Sequence, residues 1–568
     1  MNTQLTTHDY DRLNAARNLH IEGLLDQARP VYDQLLRKYP ANDDVQSLMA
    51  ALLLDTGAAD EALPLLRAIA VVRGADADVH YNLGLANAKC GDDAAAALAY
   101  RRSVQLNARH PRAWYNLALS LQRLGDIDGA IEALEQDFGL QPSADTARLL
   151  AHLHGESNHD AGRLFYANRC VELDGATPQD LNLMVGLEAK AMGNTSDVPR
   201  EKVEELLALA AHALDLSPRD ANAWKHLALV LAYNGEYEAA LPIVETAWQL
   251  DPSLDGLREL YNIVLLTLGR LEEGWRMRTQ LLRTDAMANN IGLPRWQGRL
   301  RPGLKLLVKW EQGLGDQILY ARMLVDLLQA GVEVTFVGEE RLIPLFRRSM
   351  PALHIEPLVE AEAKRNYDAF ITLGELHIWL RPDLDHLPAP APWLLADEAR
   401  VAEFRARYAR LYPGKRTIGL SWLSHSTVYG ASKSLQLDVL EPVLRLPDTV
   451  FVCTQYGLGA DTLRDAGERL GVPVHIDDDV DGILNPDRQA AQLMALDDLV
   501  SVSNTTVHLA GALGVRTHVL VSRRPVWHWF AHGTQSPWYP NVHLYRQSHL
   551  DSWQEPVAAL VEGLRHCR

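Results

Sequence analysis

Two short segments of this 568-residue chain put the residue types of group-transfer chemistry where a strand gives way to a helix. The first is Glu311-Gln312-Gly313-Leu314-Gly315-Asp316-Gln317. Gly313 and Gly315 permit a tight turn and close backbone approach to a ligand. Asp316 then falls near a helix start, where its carboxylate can take a proton from an attacking hydroxyl or simply cap the helix. The second segment is Ser503-Asn504-Thr505-Thr506-Val507-His508-Leu509-Ala510-Gly511-Ala512-Leu513-Gly514. Its polar residues Ser503, Asn504, Thr505 and Thr506, with the free N–H groups of the helix start, form a cradle for phosphate. His508 either lines that cradle or packs as an ordinary buried imidazole. Lys433, within Gly430-Ala431-Ser432-Lys433-Ser434, and the pair Arg523-Arg524 follow predicted strands and supply cations. Trp527, Trp529, Trp538 and Tyr539 could stack on a base or sugar, or fill a core. No His-Glu-x-x-His, Walker or nucleophile-elbow pattern occurs, so neither a metal nor a bound cofactor is expected.

The elements around these segments alternate. Short β-rich runs cover Leu304–Trp310, Val332–Val337, Ala369–Leu373, Thr417–Trp422, Val450–Gln455, Leu499–Ser503 and Thr517–Ser522, with helical stretches at Gln317–Gln329, Leu437–Leu446, Asp461–Leu470 and Thr506–Leu513. Such alternation predicts parallel sheets covered by helices. A proline-rich linker, Pro382 to Pro392, divides the region into two Rossmann-like lobes, 289–392 and 393–568. Ligands of such sheets bind beyond the carboxyl ends of the strands, which is where both segments lie.

Residues 1–288 have a different pattern. Gly23, Gly57, Gly91 and Gly125 are 34 residues apart, and Ala28, Ala62, Ala96 and Ala130 follow the same step. That period belongs to the tetratricopeptide repeat (TPR), a helix–turn–helix unit. Tyr81-Asn82-Leu83-Gly84 and Tyr115-Asn116-Leu117-Ala118 keep the register. It lapses between about Ser143 and Ser217, where Asn194-Thr195-Ser196-Asp197 reads as an inserted loop, and returns with Trp224, Gly235, Ala240 and Gly269. Seven or eight repeats are expected, forming an α-solenoid whose concave face holds a peptide or protein. Asn82 and Asn116 are the candidate acceptor-binding residues, because paired asparagines hold a peptide backbone irrespective of its sequence.

Composition narrows the partners. With 55 Lys+Arg against 73 Asp+Glu the net charge is −18, which opposes a nucleic-acid partner. The four cysteines are scattered, as suits a reducing compartment. The N-terminus lacks an apolar signal core and no apolar run reaches about 18 residues, so a cytoplasmic location without a membrane span is expected.

Trp310 to Asp316, with Arg295-Trp296-Gln297-Gly298 upstream, Thr505 to Gly514, Trp527-His528-Trp529 and Ser536-Pro537-Trp538-Tyr539-Pro540 together resemble bacterial TPR proteins with a heptosyltransferase-like glycosyltransferase domain. Some of that group are similar to flagellin glycosyltransferases, whose TPR half recognises flagellin and whose other half transfers a sugar to Ser or Thr. The resemblance implies a metal-independent, inverting GT-B enzyme with a nucleotide-sugar donor and a protein acceptor, flagellin. It implies Asp316 as catalytic base, and Gly313, Gly315, Gln317, Lys433, Ser503, Asn504, Thr505, Thr506, His508 and Arg523 as donor-binding. Where many relatives carry an aspartate, this chain has Ser503-Asn504, so a carboxylate facing a ribose or amine is missing. Two other readings remain open: a cell-envelope glycan or lipid acceptor, and a TPR adaptor whose transferase domain is degenerate.

Overall fold

The computed structural model describes residues 4–193, 195, 198–284, 292–310, 313–357, 366–426, 430–457 and 459–566. The chain forms two compact units, Met1–Leu187 and Glu188–Arg568. The domain boundary expected at 288/289 lies outside the described residues, as do Glu311, Gln312, Asn194, Ser196 and Asp197.

The first unit is built from antiparallel helix pairs: Thr7–Ile21 with Leu25–Lys38, Asp43–Asp55 with Ala59–Val72, Ala77–Lys89 with Asp93–Leu106, Ala113–Arg123 with Ile127–Leu140, and Ala144–Glu156 with Asp160–Asp174. Gly23, Gly57, Gly91 and Gly125 occupy the turns at φ between +79° and +83°, a conformation in which a Cβ would be strained. Ala28, Ala62, Ala96 and Ala130 are fully buried, as close helix approach requires.

The register expected to lapse after Ser143 does so in sequence only, because the helix pairs continue through Asp174. Asn158, at φ +56°, takes the turn position that glycine holds in earlier repeats. Asparagine tolerates the left-handed region better than other non-glycine residues. Asn82 and Asn116 lie half-buried on first helices of their pairs, and Asn116 Nδ2 donates to the Tyr81 hydroxyl at 3.1 Å.

The helix Pro178–Gly193 spans the division between the units. The second unit then contains Arg200–Leu216, Ala221–Tyr233, Tyr237–Leu250, Leu257–Thr267 and Leu271–Thr284 before the sheets begin. The strands are β1 (Lys305–Lys309), β2 (Glu333–Val337), β3 (His354–Ile355), β4 (Ala369–Thr372), β5 (Arg416–Ser421), β6 (Thr449–Cys453), β7 (Val474–His475), β8 (Asp498–Val502), β9 (Thr517–Val521) and β10 (Val542–Arg546). They form two fully parallel sheets, in orders β3-β2-β1-β4 and β10-β9-β8-β5-β6-β7. The second has the six-strand Rossmann order and the first has its leading half plus one strand. The fold is therefore an α-solenoid followed by two parallel α/β lobes, as the alternation predicts.

In each sheet the strand order reverses once, between β1 and β4 and between β5 and β8. The helix Leu314–Gln329 leaves β1 and the helix Thr505–Leu513 leaves β8, and the two helices pack on each other. One core runs through both lobes, including Leu306, Phe336, Val452, Leu499 and Val519. The last repeats pack beside it through Trp527. Trp275 is buried, its indole N–H donates to Arg381 O at 3.0 Å, and its ring meets Trp527 edge-on at 5.0 Å. No described helix is long and apolar enough to cross a membrane.

Candidate functional site

The packing of the two helices brings their N-termini together. Gly315 sits so close to the second helix that a Cβ there would lie 3.0 Å from His508 Cδ2 and 3.5 Å from Thr505 Oγ1. Glycine is favoured here by a close neighbour rather than by a turn, since a Cβ would force the His508 ring to shift. Asp316 follows, in the first turn of Leu314–Gln329, with its carboxylate folded back toward Gly313. Burial in the cleft raises the Asp316 pKa, while Arg278, Lys433 and the backbone N–H groups of Gly313 and Asp316 pull it back down. Asp316 thus interacts with its own helix start as a cap would and also faces two cations. One of these, Arg278, comes from the last solenoid helix.

Lys433 faces it from the other lobe. It ends the single turn Gly430–Lys433 in the loop after β5. Burial lowers its pKa and Asp316 raises it, so carboxylate and ammonium sense each other across the cleft. The loops from β5 and β8 are tied at the strand-order reversal by Asn504. Its Nδ2 donates to Ser421 Oγ at 2.7 Å and to Leu423 O at 3.1 Å, and its Oδ1 accepts from Ser501 Oγ at 3.2 Å. An aspartate could not make the two donations. The Ser503-Asn504 departure therefore has a structural role, because it locks the mouth of the second sheet.

The other candidate residues divide by placement. Thr505, at the helix start, shares a hydrogen bond with Tyr456. Thr506 is fully buried, and its hydroxyl has no partner among the described residues. His508 is buried, 3.0 Å from the Tyr539 hydroxyl, and stacked on Trp529 at 5.6 Å. Burial and then the nearby Lys433 charge push its pKa down to about 3, so it is a neutral ring. Ser503 Oγ accepts the Trp529 indole N–H at 2.8 Å. Trp529 and Tyr539 are thus packed walls of the site rather than free stacking platforms.

Two candidates are placed elsewhere. Gln317 is buried and its Oε1 accepts from Glu339 N at 3.0 Å, which ties the helix to the segment after β2. Arg523 points away from the helix starts: its Nε donates to Asn234 O at 2.5 Å and its Nη1 to Ser548 O. It joins the second lobe to a repeat turn.

Two contributors, Arg278 and His528, were not singled out as site candidates from sequence. Arg278 sits in a repeat helix, where nothing marks one arginine above the rest. His528 lies in the Trp-rich stretch. Both ring nitrogens of His528, which is 3% exposed, lack partners among the described residues, and its pKa is driven far down by burial, then by His508, Lys433 and His377. The clustering of His and Trp at 527–529 was the available signal.

Known proteins resemble the chain in parts and in whole. The tetratricopeptide repeat family matches residues 19–83, 77–110 and 111–143. Among characterised sequences, Protein FlbA of Caulobacter vibrioides (strain ATCC 19089 / CIP 103742 / CB 15) is 28% identical over 581 aligned positions, covering 91% of this chain and 95% of FlbA. Solved structures similar to part of it include MamA, 23% identical over 29% of this chain and 90% of MamA with a TM-score of 0.28. Another is YrrB, described as a TPR protein with an unusual peptide-binding site, 17% identical over 33% of this chain and 93% of YrrB with a TM-score of 0.29. The chain is a TPR-containing protein similar to FlbA over nearly its whole length.

Proposed function

We propose that the chain is an inverting, metal-independent protein O-glycosyltransferase of the cytoplasm. It moves a sugar from a nucleotide-sugar to Ser or Thr of a protein held by the repeats, with flagellin as the acceptor. The observation that carries this reading is the opposition of Asp316 and Lys433 at the reversal points of two facing parallel sheets. The donor phosphate rests on the helix start at Thr505 and on the Lys433 ammonium. Asp316 removes the proton of the acceptor hydroxyl as its oxygen attacks the anomeric carbon. The carbon–oxygen bond to phosphate breaks on the opposite face, the nucleotide leaves with the electron pair, and Lys433 balances its charge.

Lys433→Ala is expected to raise the dissociation constant for the nucleotide-sugar about 10- to 100-fold, since a hydrogen bond to a charged group contributes about 1.5–3 kcal/mol. Calorimetric titration of a panel of nucleotide-sugars tests this. A donor bound equally by wild type and variant would remove Lys433 from the site. The acceptor half is tested by the Asn82→Ala, Asn116→Ala double variant, which should lower acceptor affinity and leave donor affinity unchanged. Full modification of the acceptor protein by that variant would move recognition off those helices.

A further inference from the structure

Between the last repeats and the second lobe lies a cavity of about 270 Å³. Its walls are chiefly apolar: Leu229, Leu260 and Ile263 from the repeats and Val526 and Trp527 from the lobe. Into this setting the fold places a guanidinium. Arg524 is 8% exposed and lines the cavity. Its Nη1 donates to Met192 O and its plane lies 5.9 Å from the Tyr233 ring, but its Nε and Nη2 have no partner among the described residues. A buried charge with open donors is costly unless something completes it. Nε and Nη2 form one edge of the guanidinium, the fork that receives a carboxylate or phosphate with two parallel hydrogen bonds.

The surroundings favour an anion. Lys433 lines the same cavity, and the opposing carboxylate there, Glu259, belongs to an exposed residue. The lining therefore carries two cations against one anion. Burial lowers the pKa of both cations, and a bound anion would relieve both. Lys433, a residue of this lining, also carries the charge that Asp316 senses, which links the cavity electrostatically to the catalytic carboxylate.

We propose that Arg524 and Lys433 form an oxyanion subsite, which takes a carboxylate or phosphate borne on an apolar or ring-shaped part of a substrate. The subsite adds to the transferase reading a requirement for an anionic group near the transferred sugar, on donor or acceptor. Binding itself needs no turnover, so the test is independent of that reading. Full-length protein is titrated calorimetrically with inorganic pyrophosphate and with glutarate. Wild type is expected to bind at least one of them, and Arg524→Gln to weaken that binding at least about 10-fold. Ile263→Trp, which fills the cavity from its exposed rim and leaves the guanidinium in place, is expected to do the same. Arg276→Gln, an exposed arginine of the last repeat helix, is expected to bind as wild type. If Arg524→Gln then raises the dissociation constant of the nucleotide-sugar, the anion comes from the donor; if it raises only the acceptor KM, it comes from the acceptor. The proposal is overturned if wild type binds neither anion, or if Arg524→Gln and Ile263→Trp both bind as wild type.

Discussion

Asp316→Asn is expected to cut turnover by about 10²- to 10⁴-fold, the contribution of a positioned general base, while nucleotide-sugar affinity stays within about twofold. Asparagine preserves shape and can still meet the helix start, so loss of a cap does not explain such a result. Stability gives a second, opposite signature. Burial raises the folded-state pKa of Asp316 above its ordinary 3.8. Below 3.8 the carboxyl is neutral in both states and costs nothing. As pH rises through the folded value, the ionised form becomes less favourable in the folded chain than in the unfolded one, and stability falls. At neutral pH the amide removes that penalty, so Asp316→Asn should melt slightly higher than wild type. In wild type, kcat/KM should fall on the acid side at a pH above the usual carboxylate range. A variant with near-normal transfer and an unchanged melting temperature would leave Asp316 as a helix cap only.

The second large effect lies in the other sheet, at the amino end of its interior strand β8. Asp498 opens β8 and is fully buried. Arg416 Nε donates to it at 2.7 Å, Arg516 Nε also donates, and His518 Nε2 lies 3.4 Å away. Burial alone would raise its pKa, but these partners outweigh burial and hold it at about 2. Asp498→Ala would leave two guanidinium groups around an empty carboxylate site, and breaking a buried pair in this way costs about 3–5 kcal/mol. Denaturant unfolding followed by tryptophan fluorescence should show that loss at pH 7. The folded pKa is depressed, so the wild-type contribution is present above 3.8 and disappears as pH falls toward about 2. Wild type and variant should therefore converge in acid. A difference that persists unchanged at low pH would mean that packing, not charge, holds this end of the strand.

The architecture was legible wherever one pattern ran long enough. The glycine and alanine steps identified the repeats because turn and contact positions recur at a fixed interval. Apolar runs identified β1, β2, β4, β5, β6, β8 and β9. The strands β3 and β7, of two residues each, and the mixed sequence Val-His-Leu-Tyr-Arg of β10 were not read. All three lie toward the sheet margins, where little alternation or burial is needed. The helix Glu398–Leu411 was missed beneath its charges, although Val401, Phe404 and Tyr408 mark its buried face. At the site, glycine spacing led to Asp316 and the strand-to-helix turn led to Thr505. Arg278 was invisible because it reaches Asp316 from a distant helix, and only tertiary packing brings them together. Arg523 and Arg524 are adjacent and chemically identical, so sequence gave no means of telling which one faces a cavity.

The position of the compact units bears on how such a protein could acquire a new target. The division falls within the helix Pro178–Gly193, well before the repeats end, and the later repeats share buried tryptophan contacts with the sheets. Recombination at the visible end of the solenoid would leave Trp275 and Arg381 without each other. A crossover just ahead of Pro178 would exchange the first five helix pairs and keep Trp275 with Arg381, provided the incoming pairs supply partners for Asp180 and Leu183, which meet Arg148 and the core of the preceding pairs. Under the transferase reading, descendants of such an exchange would keep one chemistry while changing clients, and a swap at that point is the route to retargeting the protein by design.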